Sequence, residues 1–329
     1  MSETTVVIPL LLVAGGLVLL VAGGETMLRG AVGLATILRL TPAVIGLTVV
    51  AAGTSVPELA VSMIASVQGS ADIAVANVVG SNIFNITVII GLCALIRPLP
   101  ITGNTIRLEY PVLALVTFLA IVIAHDGIID RLEGILCIAV YAGFTAYLVS
   151  LVRGQATETE TQGLRSEVKE LSPSRRAFWI STSLVVAGIA LLGAGAHATV
   201  AGAVDLARIL GWSERVIGLT IVSAGTGLPE VVTSIVSSIR GRSDLAIGNV
   251  IGSNLFNTLG ILGIGSLVSP LTVQAGLLAT DIWWMLGITL LLFPVMFSGL
   301  RVSRWEGAVM LLTYGVYLTL LLLHAAPAS

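Results

Sequence analysis

The stretch "GTSVPELAVS" at residues 53–62 returns as "GTGLPEVVTS" at residues 225–234. Its surroundings return with it. Shifted by about 172 residues and without a gap, 44–85 matches 216–257 at about 23 of 42 positions, a repeat that chance does not produce. The matches include "VIGLT", "AGT", "PE" and "GSN-x-FN". Any fold for this chain must therefore be two related halves.

The halves are made of membrane-length apolar runs. The chain is 56% hydrophobic and 10% charged, where soluble domains carry about 25% charged residues. Runs of about 20 apolar residues mark an integral membrane protein. They do not alternate polar and apolar, which argues against a β-barrel. Ten segments are predicted, at 6–37, 43–68, 72–96, 109–124, 131–152, 176–208, 215–240, 244–268, 276–297 and 303–323. The 36 glycines fit close helix packing in lipid. One long polar stretch, 153–175, falls near the middle and reads as a loop. It divides the chain into a first half, 1–152, with repeat core 44–92, and a second half, 176–329, with repeat core 216–264. The predicted fold class is an all-α integral membrane protein with about ten transmembrane helices.

Five helices per half is an odd number, so the second half enters the membrane inverted relative to the first. The fold is then two inverted-topology five-helix repeats. Charge agrees. With the 153–175 loop in the cytoplasm, Arg29, Arg39, Arg97, Arg107, Arg240, Arg242, Arg301 and Arg304 fall inside with the loop's own cations. Only Arg131, Arg208 and Arg215 face out. The positive-inside rule then places both termini outside a cell (inner) membrane. The start "MSETTVVIPLLLVAGG" lacks a basic region and a cleavage pattern, and reads as a retained helix. Net charge is −2, with no block suited to nucleic acid. Cys93 and Cys137 lie inside apolar runs as two buried thiols.

The repeated motifs set polar groups at mid-membrane depth. Proline lacks an N–H and its ring clashes with the carbonyl four residues back. Pro57 thereby frees the carbonyl of Gly53, and Pro229 that of Gly225. Glu58 and Glu230 follow the two breaks. Thr54, Glu58 and Ser62 share one helix face at i, i+4, i+8, and Thr226, Glu230 and Ser234 repeat that stripe. Asn77, Ser81 and Asn85 form another stripe, repeated by Asn249, Ser253 and Asn257. Carboxylate, hydroxyl, amide and carbonyl oxygens suit hard cations such as Ca²⁺ and Na⁺. No His or Cys joins them, which argues against a transition metal. Two carboxylates about 4 Å apart repel by roughly 4 kcal/mol at an effective dielectric near 20. They favour a divalent cation, or smaller cations or protons in its place, which is the physical basis of exchange.

Serine also serves helix packing, so Ser62 and Ser234 fit either role. Glu25 stands four residues before Arg29, as an intrahelical pair. Asp72 and Asp244 sit at helix starts, where the helix dipole accounts for them.

These motifs resemble the α-repeats of the cation/calcium exchanger superfamily, with the prokaryotic sodium/calcium exchangers nearest. The resemblance spans essentially the whole chain and implies the following roles. Glu58 and Glu230 are the central Ca²⁺ ligands. Thr54, Thr226 and Ser55 contribute oxygens, as do the carbonyls of Ala51 and Ser223. Ser81, Ser253, Asn85 and Asn257 complete one Ca²⁺ site with flanking Na⁺ sites. Ca²⁺ and Na⁺ are cargo; no cofactor is expected. Two positions depart from the pattern. Gly227 stands where the first repeat has Ser55, removing one hydroxyl. Asn257 stands where some relatives carry Asp.

The function expected is Ca²⁺/Na⁺ antiport by alternating access, in a transporter and not an enzyme. Coupling to H⁺ or K⁺ is the nearest alternative. A channel would build its pore between subunits or around a filter loop. An intramembrane protease would need a nucleophile partnered with the glutamates, and none is apparent.

Overall fold

The computed structural model describes residues 4–152, 174–212, 221 and 223–325. The polar stretch at 153–173 and the start of the seventh expected segment, 213–220, lie outside the described residues. The first half runs α1 (Thr4–Leu38), α2 (Pro42–Ile45), α3 (Ala51–Thr54), α4 (Val56–Val67), α5 (Ala71–Phe84), α6 (Ile90–Ile96), β1 (Leu99–Pro100), α7 (Tyr110–Ala124), β2 (Ile128–Ile129) and α8 (Arg131–Val152). The second half runs α9 (Arg175–Ile209), α10 (Ser223–Thr226), α11 (Leu228–Ile239), α12 (Ser243–Leu255), α13 (Leu262–Val268), β3 (Leu271–Thr272), α14 (Ile282–Phe297), β4 (Arg301–Val302) and α15 (Arg304–Ala325).

Among the described residues, 8 helices are long and apolar enough to cross a membrane. The helices Pro42–Thr54 and Val56–Val67, bent by 45° at the break between them, pass the same test together and give a ninth if the pair counts as one span. Of the segment expected at 215–240, the described part is α10 followed by α11, the same short helices about the same kind of break.

The repeat is visible element by element. Both α4 and α11 have 12 residues. π-helical turns follow α5 at Asn85–Ile89 and α12 at Phe256–Ile261, and precede α7 at Thr105–Glu109 and α14 at Leu277–Asp281. Such turns widen a helix locally and gather at functional sites. Two antiparallel ribbons tie the halves together: Leu99 opposite Val302 in β1–β4, and Ile129 opposite Leu271 in β2–β3. These four side chains are buried, so two residues per strand suffice to pin each crossing.

The longest helices, α1 and α9 (35 residues each), pack along one another. Glycine permits this approach. A Cβ on Gly195 would lie 2.7 Å from the Leu20 nitrogen and 2.8 Å from the Gly16 carbonyl oxygen. On α1, Glu25 meets Arg29 at 3.1 Å, as the spacing predicts, and also Arg240 of α11 at 2.9 Å. Asp72 and Asp244 stand in the first turns of α5 and α12, and Asp72 also accepts from the Gln274 amide. Cys93 and Cys137 are free and buried.

Candidate cation site

The breaks before the two glutamates have the same cause in each half. Ser55 leaves helical geometry at φ −82, ψ 10; Gly227, at φ −79, ψ 0, stays in the right-handed region but separates α10 from α11. Pro57 and Pro229 follow in the first turns of α4 and α11, where a missing N–H is tolerated. A new helix starts after each break, with Glu58 and Glu230 in its first turn.

Both carboxylates are buried, Glu58 at 2% and Glu230 at 1% exposure. They lie close enough to interact electrostatically. Ser55 Oγ donates to Glu230 Oε1 at 2.9 Å, so the break of one half holds the carboxylate of the other. Thr54 lies beside Glu230 as well. Its hydroxyl meets Asn249 Oδ1 and the Ala51 carbonyl, each at 3.2 Å.

The asparagine stripes brace this pair. Asn77 Nδ2 donates to Ser62 Oγ at 3.1 Å and to the Glu58 carbonyl at 3.3 Å. In the other half Asn249 Nδ2 donates to Ser234 Oγ at 2.9 Å. Ser62 and Ser234 are thus fixed as acceptors for α5 and α12. Gly252 lets α12 run against the backbone of Leu47, where a Cβ would overlap the Leu47 carbonyl.

The stripe Asn77, Ser81 and Asn85 does share one face. All three line a cavity of about 90 Å³, with Ala224, Gly227 and Tyr314 among the facing residues. In the second stripe Ser253 and Asn257 are buried. Glu58 Oε2, Glu230 Oε2, Ser253 Oγ and Asn257 Oδ1 make no hydrogen bond although each is shut away from solvent. Thr233 Oγ1 of the second repeat, and Thr145 Oγ1 and Ser181 Oγ outside the repeats, are likewise without a partner. Buried oxygens without partners are costly, and carboxylate, hydroxyl and amide oxygens are the kind a hard cation takes.

The remaining expected positions are Ala51, Ser223 and Thr226. The Ala51 carbonyl already accepts from Ser55 N–H at 3.1 Å and from Thr54 Oγ1. Ser223 opens α10 and Thr226 closes it, half-buried.

Three residues outside the predicted stripes belong to the same buried network. Asn82 Nδ2 donates to Thr258 Oγ1 at 2.8 Å, Asn257 Nδ2 donates to Asn82 Oδ1 at 3.2 Å, and Asn85 Nδ2 donates to Asn254 Oδ1 at 3.1 Å. Helical spacing turns Asn82 and Asn254 away from their own stripes. The one signal for them was that "GSN" is kept whole in both copies.

The model of the sodium/calcium exchanger protein family matches residues 8–150 and 180–323. The chain belongs to this family. It is a multi-pass membrane transporter of the exchanger class. CaxA of Alkalimonas amylolytica is 39% identical over 309 residues, covering 93% of this chain and 96% of that one. The sodium/calcium exchanger MaX1 of Methanosarcina acetivorans is 31% identical over 339 residues, with coverage of 93% and 96%. Among solved structures, the sodium-calcium exchanger NCX_Mj superposes with a TM-score of 0.82 at 28% identity, covering 96% of this exchanger and 99% of that chain.

Proposed function

We propose that this exchanger is a secondary antiporter that moves Ca²⁺ against Na⁺ by alternating access. Its ions bind between the two repeats, with Glu58 and Glu230 as the charged ligands. Thr54, Ser55, Ala51, Thr226, Ser223, Ser81, Ser253, Asn85 and Asn257 supply neutral oxygens. The observation that carries this reading is the set of unpartnered buried oxygens on Glu58, Glu230, Ser253 and Asn257. Two facing carboxylates neutralise one Ca²⁺, and bare they repel; crossing the membrane loaded with one cargo or the other is the cheaper course. Inverted repeats supply the movement, since each half can adopt the other's conformation. The family and the names of MaX1 and NCX_Mj support Na⁺ and Ca²⁺ as the cargoes. Arginine distribution supports a cytoplasmic 153–175 loop and outward termini.

A proton is the rival counter-ion, and Gly227 favours it: one hydroxyl fewer is available for a flanking Na⁺. The two readings separate in proteoliposomes. Uptake of ⁴⁵Ca²⁺ under an outward Na⁺ gradient at uniform pH supports Na⁺ coupling. Uptake under a pH gradient without Na⁺, and none with Na⁺ alone, establishes the proton instead.

A further inference from the structure

The asparagine of each "GSN" is turned from its own stripe, yet both copies reach the middle of the molecule. Asn82, Asn85, Asn254 and Asn257 are each 2% exposed or less. We propose that Asn82 and Asn254 are crossed positioning residues. Each fixes the amide of the last stripe asparagine in the opposite repeat, so that Asn257 and Asn85 turn oxygen, and not nitrogen, toward the cation.

The hydrogen bonds carry the argument. A side-chain amide has an oxygen that accepts and a nitrogen that donates, and only the oxygen can ligate a cation. Asn257 Nδ2 donates to Asn82 Oδ1 at 3.2 Å, leaving Asn257 Oδ1 with no hydrogen bond. Turned over, Asn257 would set its oxygen against that of Asn82. Asn82 is itself held, because its Nδ2 donates to Thr258 Oγ1 at 2.8 Å and lies 3.6 Å from the Met285 sulfur. The other arm is built alike. Asn85 Nδ2 donates to Asn254 Oδ1 at 3.1 Å, and Asn254 Nδ2 donates to the Asn82 carbonyl at 3.3 Å. Asn85 also lines the cavity beside Ser81.

The arrangement also accounts for the amide at 257. Asn82 offers that position an acceptor, which an amide N–H satisfies and an ionised carboxylate would oppose. The site is thereby fitted to two carboxylates, Glu58 and Glu230, and a neutral third group. Outer partners that orient first ligands are worth about ten- to hundredfold in metal affinity.

The inference rests on Ca²⁺ binding as proposed above, so the test starts from the wild type. Calorimetric Ca²⁺ titration of the purified protein in detergent, alongside Na⁺-driven ⁴⁵Ca²⁺ uptake, gives the reference. A wild type that binds no Ca²⁺ defeats the exchange reading itself. With wild-type binding intact, Asn82→Ala is expected to weaken Ca²⁺ binding by roughly ten- to hundredfold. Combined with Asn257→Ala it should add less than about twofold, because the group it orients is gone. Combined with Asn85→Ala its loss should multiply. Asn254→Ala should show the mirror pattern, coupled to Asn85 and independent of Asn257. A general packing role would not follow this crossing. Unchanged affinity in Asn82→Ala, or losses that multiply in the Asn82–Asn257 double variant, would overturn the proposal. If Asn82→Ala does not purify as a monodisperse protein, the Asn254–Asn85 cycle decides alone: coupling upholds the arrangement and independence overturns it.

Discussion

Ser55 Oγ donates to Glu230 Oε1 at 2.9 Å, a bond that runs from the break of the first half to the carboxylate of the second. The repeat places Gly227 at the position matching Ser55, so the second half has no counterpart of that hydroxyl, while Oε2 of both carboxylates is without a hydrogen bond. The two carboxylates are alike in sequence but are held differently.

Removing that bond should therefore affect one carboxylate only. Hydrogen bonds to charged groups contribute about 1.5–3 kcal/mol. Ser55→Ala is expected to raise the Ca²⁺ KM by about tenfold, the lower end of that range, with little change in thermal stability. Flux titrations over Ca²⁺ concentration check it; an unchanged KM would show that Ser55 does not hold Glu230 in the working protein.

Restoring the hydroxyl tests the asymmetry from the other side. A Cβ at Gly227 would lie 3.2 Å from Phe84 Cε1, so the ring must shift by a few tenths of an ångström. Gly227→Ser is expected to fold and to steepen the Na⁺ dependence of Ca²⁺ flux, because a flanking site gains an oxygen. The Hill coefficient for Na⁺ is the readout, and a value equal to wild type would mean that Gly227 does not limit Na⁺ count.

Charge in the site predicts a voltage effect. Glu58 and Glu230 balance one Ca²⁺, Asn257 adds no charge, and a cargo of three Na⁺ would leave one positive charge in transit. Moving one elementary charge through the membrane potential is worth about 2.3 kcal/mol per 100 mV. If three Na⁺ exchange for one Ca²⁺, flux in vesicles clamped at different potentials should follow voltage; indifference to voltage would exclude that ratio.

The approach of α12 to Leu47 predicts a packing effect. A side chain at Gly252 must overlap the Leu47 carbonyl, which is backbone and cannot turn aside. Overpacking a close contact costs typically about 1–3 kcal/mol. Gly252→Val should lower the midpoint of thermal unfolding in detergent by several degrees, while Gly287→Val, with nothing within 4 Å among the described residues, should leave it near wild type.

Much of this was legible in the sequence because membrane-length runs and a gapless repeat are one-dimensional signals. The breaks at Pro57 and Pro229, the carboxylates beside them and the shared face of Asn77, Ser81 and Asn85 follow from helical spacing alone. Asn82 and Asn254 were not legible, since their partners lie in the opposite half and only the crossing of α5 with α12 brings them together. The same holds for Ser55, whose acceptor Glu230 is 175 residues away. The family resemblance implies the Ala51 carbonyl as a cation oxygen; the structure adds that this carbonyl accepts from the Ser55 N–H and from the Thr54 hydroxyl, local contacts that the resemblance does not report.

The most direct test is Na⁺-gradient-driven ⁴⁵Ca²⁺ uptake by reconstituted Glu58→Gln and Glu230→Gln proteins. Glutamine keeps the size of the side chain and removes its charge. Each variant should insert and purify normally yet carry no Ca²⁺ above protein-free vesicles. Uptake at the wild-type rate in either would contradict the assignment of that carboxylate to the ion path.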